Sequence, residues 1–181
     1  MSIRCYLIGF FEKLTYRFRQ LSRDFYQSST KKYRSEFITL MSEGETLLFF
    51  QQTQRDQNHA IRTAFHVKQL CLDNQVDPPR FLIVAALLHD IGKGEVKLIN
   101  RIVFVICNFL SSTLSRKIAS NKTNNWRATY WRLKYHAIIG ADLLKQVDSD
   151  PRVIDLVRRH HCTVAGDDNW HEYLVHADYI A

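Results

Sequence analysis

Eight consecutive apolar residues, Phe81 to Leu88, run directly into His89 and Asp90. Pro78-Pro79 precede them, and Gly92 and Gly94 follow. A segment that is apolar nearly all round has no face to offer to water, so as a helix it must be central and buried. The prolines start it and the glycines stop it. A helix is therefore predicted over Arg80 to His89, enclosed by other elements. Its inner end carries an aspartate, and desolvating an unpartnered carboxylate costs several kcal/mol. The fold must bring a partner to Asp90.

The rest of the chain supplies helices to do this. Only 6 glycines and 3 prolines occur in 181 residues, which is sparse for the tight turns of an all-β protein. Hydrophobic residues make up 46% and charged residues 24%, as in folded domains rather than disordered ones. No segment alternates long enough to build a sheet. Apolar residues spaced by three and four predict an amphipathic helix over Ile3 to Leu21 and another over Glu36 to Gln52. Residues 22–34 are polar and read as a loop or broken helix. Asp56 is the expected N-cap of a helix to about Leu72. Further helices are expected over Thr129 to Gln146, from Pro151 to about His161, and over Asn169 to Ala181. The expected fold is an all-α bundle of about seven or more helices. Residues 1–52 form an N-terminal amphipathic extension, and 53–181 form the main domain with an insert at about 95–134.

The charge is unevenly spread. The net value is +7, yet residues 1–35 carry +6 and residues 96–141 carry +8, against −3 over 36–95 and −4 over 142–181. Two basic segments on a mildly acidic remainder suggest an anionic partner: a phosphorylated substrate, a lipid surface or a nucleic acid. The four cysteines, at 5, 71, 107 and 162, show no zinc-type pairing and no signal peptide precedes them. They read as reduced thiols in a cytoplasmic protein.

Chemistry gathers on histidine and aspartate. His59 lies near the start of one predicted helix and His89-Asp90 at the end of the buried one. His136 follows on the next long helix, His160-His161 close the one after, and Asp178 lies in the last. A divalent metal offsets the burial of Asp90, and imidazole with carboxylate suits Fe, Mn, Co, Ni or Zn, with Mg also open. Neighbouring helix residues diverge by about 100°. His89 can thus face one metal while Asp90 lies between two.

The order His59, His89-Asp90, Asp178, with Ala85-Ala86-Leu87-Leu88-His89-Asp90-Ile91-Gly92-Lys93 at its centre, resembles the HD superfamily of metal-dependent phosphohydrolases. The resemblance runs from about Arg55 to the end of the chain. It implies an all-α HD-type helical bundle and a first metal held by His59, His89, Asp90 and Asp178. His136, in a His-x-x-x-Gly segment ending at Gly140, and His160 occupy the places of second-metal ligands. His161 is an additional ligand or a substrate contact. Lys93 resembles a phosphate-contacting lysine. Arg62, three residues after His59 on the same face, is a further candidate for phosphate. Two cations can activate a bridging water for in-line attack on phosphorus. Lys93 and Arg62 would help them to neutralise the phosphoryl oxygens.

Cys162-Thr163-Val164 follow His161, where the cyclic-di-GMP phosphodiesterases of the superfamily carry a Gly-Tyr-Pro run. The expected function is accordingly hydrolysis of a phosphomonoester, phosphodiester or nucleotide by metal-activated water, with two metals. The competing expectation is a metal-stabilised module with little turnover, acting as a regulatory or membrane-surface binding protein. Between Lys93 and His136 lie 42 residues, including the apolar run Ile102 to Cys107 and the basic, aromatic run Trp126 to Lys134. These and the N-terminal helix suit an anionic membrane surface, which would make the protein peripheral. Nucleic acid is the less favoured partner, since no recognition motif is visible. The sequence leaves oligomeric state open.

Overall fold

The computed structural model describes residues 30–94, 126–162 and 169–181. The N-terminal helix expected over Ile3 to Leu21 and the apolar run of the insert lie outside the described residues. Seven α-helices occur among the described residues: α1 (Thr30–Ile38), α2 (Glu43–Gln51), α3 (Gln54–Asp73), α4 (Arg80–Leu88), α5 (Trp126–Gln146), α6 (Pro151–Arg159) and α7 (Asn169–Ile180). A 3-10 turn, Ile91–Lys93, follows α4. The described residues contain no strand, and the architecture is all-α.

Helix α4 is the axis. Every residue from Phe81 to Leu88 is buried. It packs against α3, α6, α7 and α2. Helix α3 turns a stripe of Ala60, Ile61, Ala64, Val67 and Cys71 towards it, at the spacing of three and four that one helical face requires. Val153, Leu156 and Val157 of α6 and Leu174 and Ala177 of α7 complete the surround. Leu82, Leu87 and Leu88 are fully buried, and truncating any of them to alanine would cost about 2–5 kcal/mol. Phe37, Met41, Leu48 and Phe49, from α1, α2 and the turn between them, join the same core. No helix among the described residues is long and apolar enough to cross a membrane.

Local chemistry corrects several expected boundaries. The single helix expected over Glu36 to Gln52 is two helices, because Ser42 caps the second. Glu45 N–H donates to Ser42 Oγ at 3.2 Å, and Ser42 N–H donates to Glu45 Oε2 at 2.8 Å. This reciprocal capping box is worth about 1 kcal/mol and favours a new start over continuation. Glu45 is itself buried and accepts from Arg80 Nη2 at 2.7 Å and Ser149 Oγ at 2.5 Å. One carboxylate thus ties the start of α2 to the start of α4 and to the α5–α6 connection.

Helix α3 is capped by Thr53, not Asp56. Asp56 N–H donates to Thr53 Oγ1, whose hydroxyl donates back to Asp56 Oδ2 at 2.7 Å. Asp56 is therefore the acidic third residue that faces the helix dipole. Helix α1 begins at Thr30, within the stretch expected to be a loop or broken helix, and α5 begins at Trp126, three residues earlier than expected. Pro151 does occupy the first turn of α6, with Asp150 as the cap.

One contact places α5 beside the end of α4 that leads into His89 and Asp90. A Cβ on Gly92 would lie 2.0 Å from the His136 carbonyl oxygen and 2.7 Å from the Gly140 nitrogen. Only glycine lets the 3-10 turn press its backbone onto that of α5.

Candidate metal centre

His89 caps the C-terminal end of α4, and its ring folds back so that Nδ1 donates to the Ala86 carbonyl at 2.9 Å. His136 in α5 does the same to Leu133 O at 2.7 Å, and His160 at the end of α6 to Val157 O at 2.6 Å. A carbonyl can only accept, so each Nδ1 carries a proton, and Nε2 is the atom each ring offers to a proton or to a metal ion. All three Nε2 atoms converge on Asp90, the residue after His89.

Asp90 stands between two groups. Its Oδ2 lies 3.5 Å from His89 Nε2 and 4.0 Å from His59 Nε2. Its Oδ1 lies 3.3 Å from His136 Nε2 and 3.9 Å from His160 Nε2. On the first side, Asp178 Oδ1 from α7 sits 2.9 Å from His59 Nε2 and 3.3 Å from His89 Nε2. On the second side, His161 Nε2 meets His136 Nε2 at 2.9 Å. Two triads result, His59–His89–Asp178 and His136–His160–His161, each with ligand-type atoms within 4.8 Å of one another. The structure thus gathers His59, His89, Asp90, His136, His160, His161 and Asp178 in one place, from the helices α3, α5 and α7 and the turns that follow α4 and α6.

Not all of these groups are satisfied by one another. His89 Nε2, Asp90 Oδ1 and His160 Nε2 are buried without a hydrogen bond. Leaving one such atom unmade costs about 1–3 kcal/mol. Where a lone pair of a neutral ring faces a carboxylate oxygen, only a proton or a cation between them removes the repulsion. Imidazole nitrogen and carboxylate oxygen are together the donor set of a divalent transition metal, so the residues present fit such an ion.

The electrostatics agree. Burial works against the charge of His89, but Asp90 and Asp178 outweigh it and raise its pKa to about 9. Burial also opposes ionisation of Asp90, yet His89, Lys93 and His136 hold its carboxyl well below the usual range. Asp178 is likewise depressed against its own desolvation, by His89 and His59. His160 goes the other way: burial, then the charges of His89 and His161, lower its pKa well below the usual value. His161 is exposed as a residue, but its ring lies among the other rings. Desolvation there, then His136, lowers its pKa to about 4.

The two cationic candidates sit differently. Lys93 Nζ forms an ion pair with Asp90 Oδ2. Arg62 Nε donates to the Ala181 carbonyl at 2.9 Å, which ties α3 to the end of α7 and hence to the helix of Asp178. Sequence reasoning gave no role to His171. It is buried in α7 and its Nε2 donates to Arg159 O at 2.8 Å, immediately before His160. The bond links the helix of one triad to the end of the helix that carries the other. No spacing rule could have found it, because its partner is a backbone carbonyl 12 residues away.

No curated protein and no solved structure matches the chain at a significant level. The family model described as HD domain matches residues 57–179, an interval that begins before His59 and ends after Asp178. That interval covers most of the chain and contains both triads, and the chain belongs to the HD domain family.

Proposed function

We propose that the chain is a metal-dependent phosphohydrolase with a two-cation centre. His59, His89 and Asp178 would hold one ion, His136, His160 and His161 the other, and Asp90 would lie between them with one oxygen on each side. The observation that carries this reading is the convergence of three Nδ1-locked histidines on a carboxylate whose Oδ1 has no hydrogen bond. When bound, the ions would supply an activated water and neutralise phosphoryl charge. The chain's own residues do the rest. The carbonyls of Ala86, Leu133 and Val157 fix the ring orientations, so no rearrangement is needed when a ligand arrives. Lys93 keeps an ammonium at the edge of the cluster, where a phosphoryl oxygen would meet it. Arg62 holds Asp178 in register through the end of α7. The substrate class is a phosphate ester or nucleotide.

The test is a panel of phosphomonoesters, phosphodiesters and nucleotides incubated with full-length protein carrying Mn, Co, Fe, Ni, Mg or Zn. Turnover that disappears in Asp90→Asn, together with metal content, supports the reading. Full metal occupancy with no turnover on any class of substrate would instead favour a binding module.

A further inference from the structure

Arg132 has no part in the centre as described. It stands one turn before His136 on α5, so the two project from one side of the helix. His136 reaches Asp90, while Arg132 reaches the turn after Lys93. A Cβ on Gly94 would lie 3.1 Å from Arg132 Nη1, 3.4 Å from Cδ and 3.7 Å from Cζ. The arginine side chain therefore lies along the Gly94 backbone. Gly94 has φ +59° and ψ −163°, a conformation essentially confined to glycine. The same residue makes the turn and leaves room for the arginine.

Other arginines have polar partners. Arg80 is paired with Glu45, Arg152 with Asp150, Arg158 with Asp142 and Arg159 with Asp155, and Arg34 donates to Gln57. Arg132 is exposed and makes no hydrogen bond or ion pair among the described residues. Lys93 and Arg132 thus flank the Gly94 turn, with the lysine aimed inward at Asp90 and the guanidinium at the rim. The Arg132 and His136 backbones stand one turn apart, about 6 Å along the axis of α5. A guanidinium fork matches two phosphate oxygens at once.

We propose that Arg132 binds a second phosphoryl group next to the one that is cleaved, so that the site prefers phosphoanhydrides to phosphomonoesters. This rests on the phosphohydrolase reading and adds its substrate class. In the reaction, water oxygen bonds to the terminal phosphorus and the bond from that phosphorus to the bridging oxygen breaks. The bridging oxygen leaves with the shortened substrate and takes up a proton, and the other proton of the water goes to solvent.

Binding can be read apart from turnover with methylenediphosphonate, which cannot be hydrolysed, and methylphosphonate. Full-length manganese-loaded protein is titrated calorimetrically with each at physiological salt, and retained manganese is measured afterwards. The diphosphonate is expected to bind about tenfold or more tightly than the monophosphonate. Arg132→Ala should remove that gap and leave methylphosphonate binding within about twofold, because the residue is exposed and outside the core. Arg132→Lys should restore part of it. An unchanged gap in Arg132→Ala, or no gap in the parent protein, overturns the proposal while the phosphohydrolase reading stands. A parent protein that binds neither probe and hydrolyses nothing overturns both.

Discussion

Replacing Gly92 by alanine tests whether backbone contact, rather than side-chain packing, positions the second triad. The new Cβ would lie 2.0 Å from His136 O and 2.7 Å from Gly140 N, and neither atom is the end of a flexible side chain. Ordinary contact begins near 3.4 Å, so one backbone must retreat by about 1.4 Å. Overpacking of this kind costs about 1–3 kcal/mol. For a chain of this size each kcal/mol lowers Tm by about 2–4 °C, so a fall of about 2–12 °C is expected. A retreat of α5 also carries His136 away from Asp90, and metal sites tolerate only about 0.2 Å of error. With the two-cation centre proposed above, the expected phenotype is a lower Tm together with the loss of one of the two metals. Elemental analysis and thermal unfolding with and without chelator measure both. Gly44→Ala is the control, since its Cβ would meet Val147 Cβ at 2.7 Å, away from both triads. It should lower Tm and leave metal content intact. A Gly92→Ala protein with the parent's Tm and both metals would refute the argument.

Asp90→Ala should abolish binding of both metals at once, whereas His136→Ala and His160→Ala should each weaken only the second; equilibrium dialysis distinguishes these patterns. Metal that binds only the folded chain should raise Tm, with a gain near 2.7 kcal/mol at a hundredfold excess over Kd. The metal-free protein should be most stable near pH 6.5. Above it, the unfolded chain releases a proton that His89 retains up to about 9, so stability falls as pH rises through that window. Below it, the unfolded chain takes up protons that His160 and His161 refuse, so stability falls again towards about 4. Asp90 and Asp178 add a further loss below the ordinary carboxylate range, because their folded pKa values are depressed. Urea midpoints across pH 4–9 report this, and a flat profile would contradict it. Metal uptake at pH 7 should release a proton from His89, seen as a buffer-dependent calorimetric heat.

The central helix was legible because Phe81 to Leu88 permits only one solution, burial on all sides. That Asp90 needs a cationic or metal partner was legible for the same reason, but the set of residues expected to join it came from the resemblance to the HD superfamily. The boundary at Ser42 was also written in the chain, as Ser-x-x-Glu, but the apolar residues on either side of it masked the break. Thr53 and Asp56 are both good caps, and composition cannot choose between them; the reciprocal bonds do. Gly92 against Gly140 and His171 against Arg159 O were illegible, since each depends on where a distant backbone passes. Arg132 stood out only as one of several basic residues until the path of the Gly94 turn showed which of them flanks the centre.

Each histidine ring that is bonded to the carbonyl three residues before it takes its aim from its own helix. Such a helix end is a prefabricated unit: sliding or tilting the helix moves the nitrogen with it, without loosening the ring. The separation of the two triads is then a readout of interhelical spacing and can be adjusted remotely. Changing the volume of Leu87 or Val157, buried core residues of the helices that end at His89 and His160, should act as a set screw on the distance between the two triads.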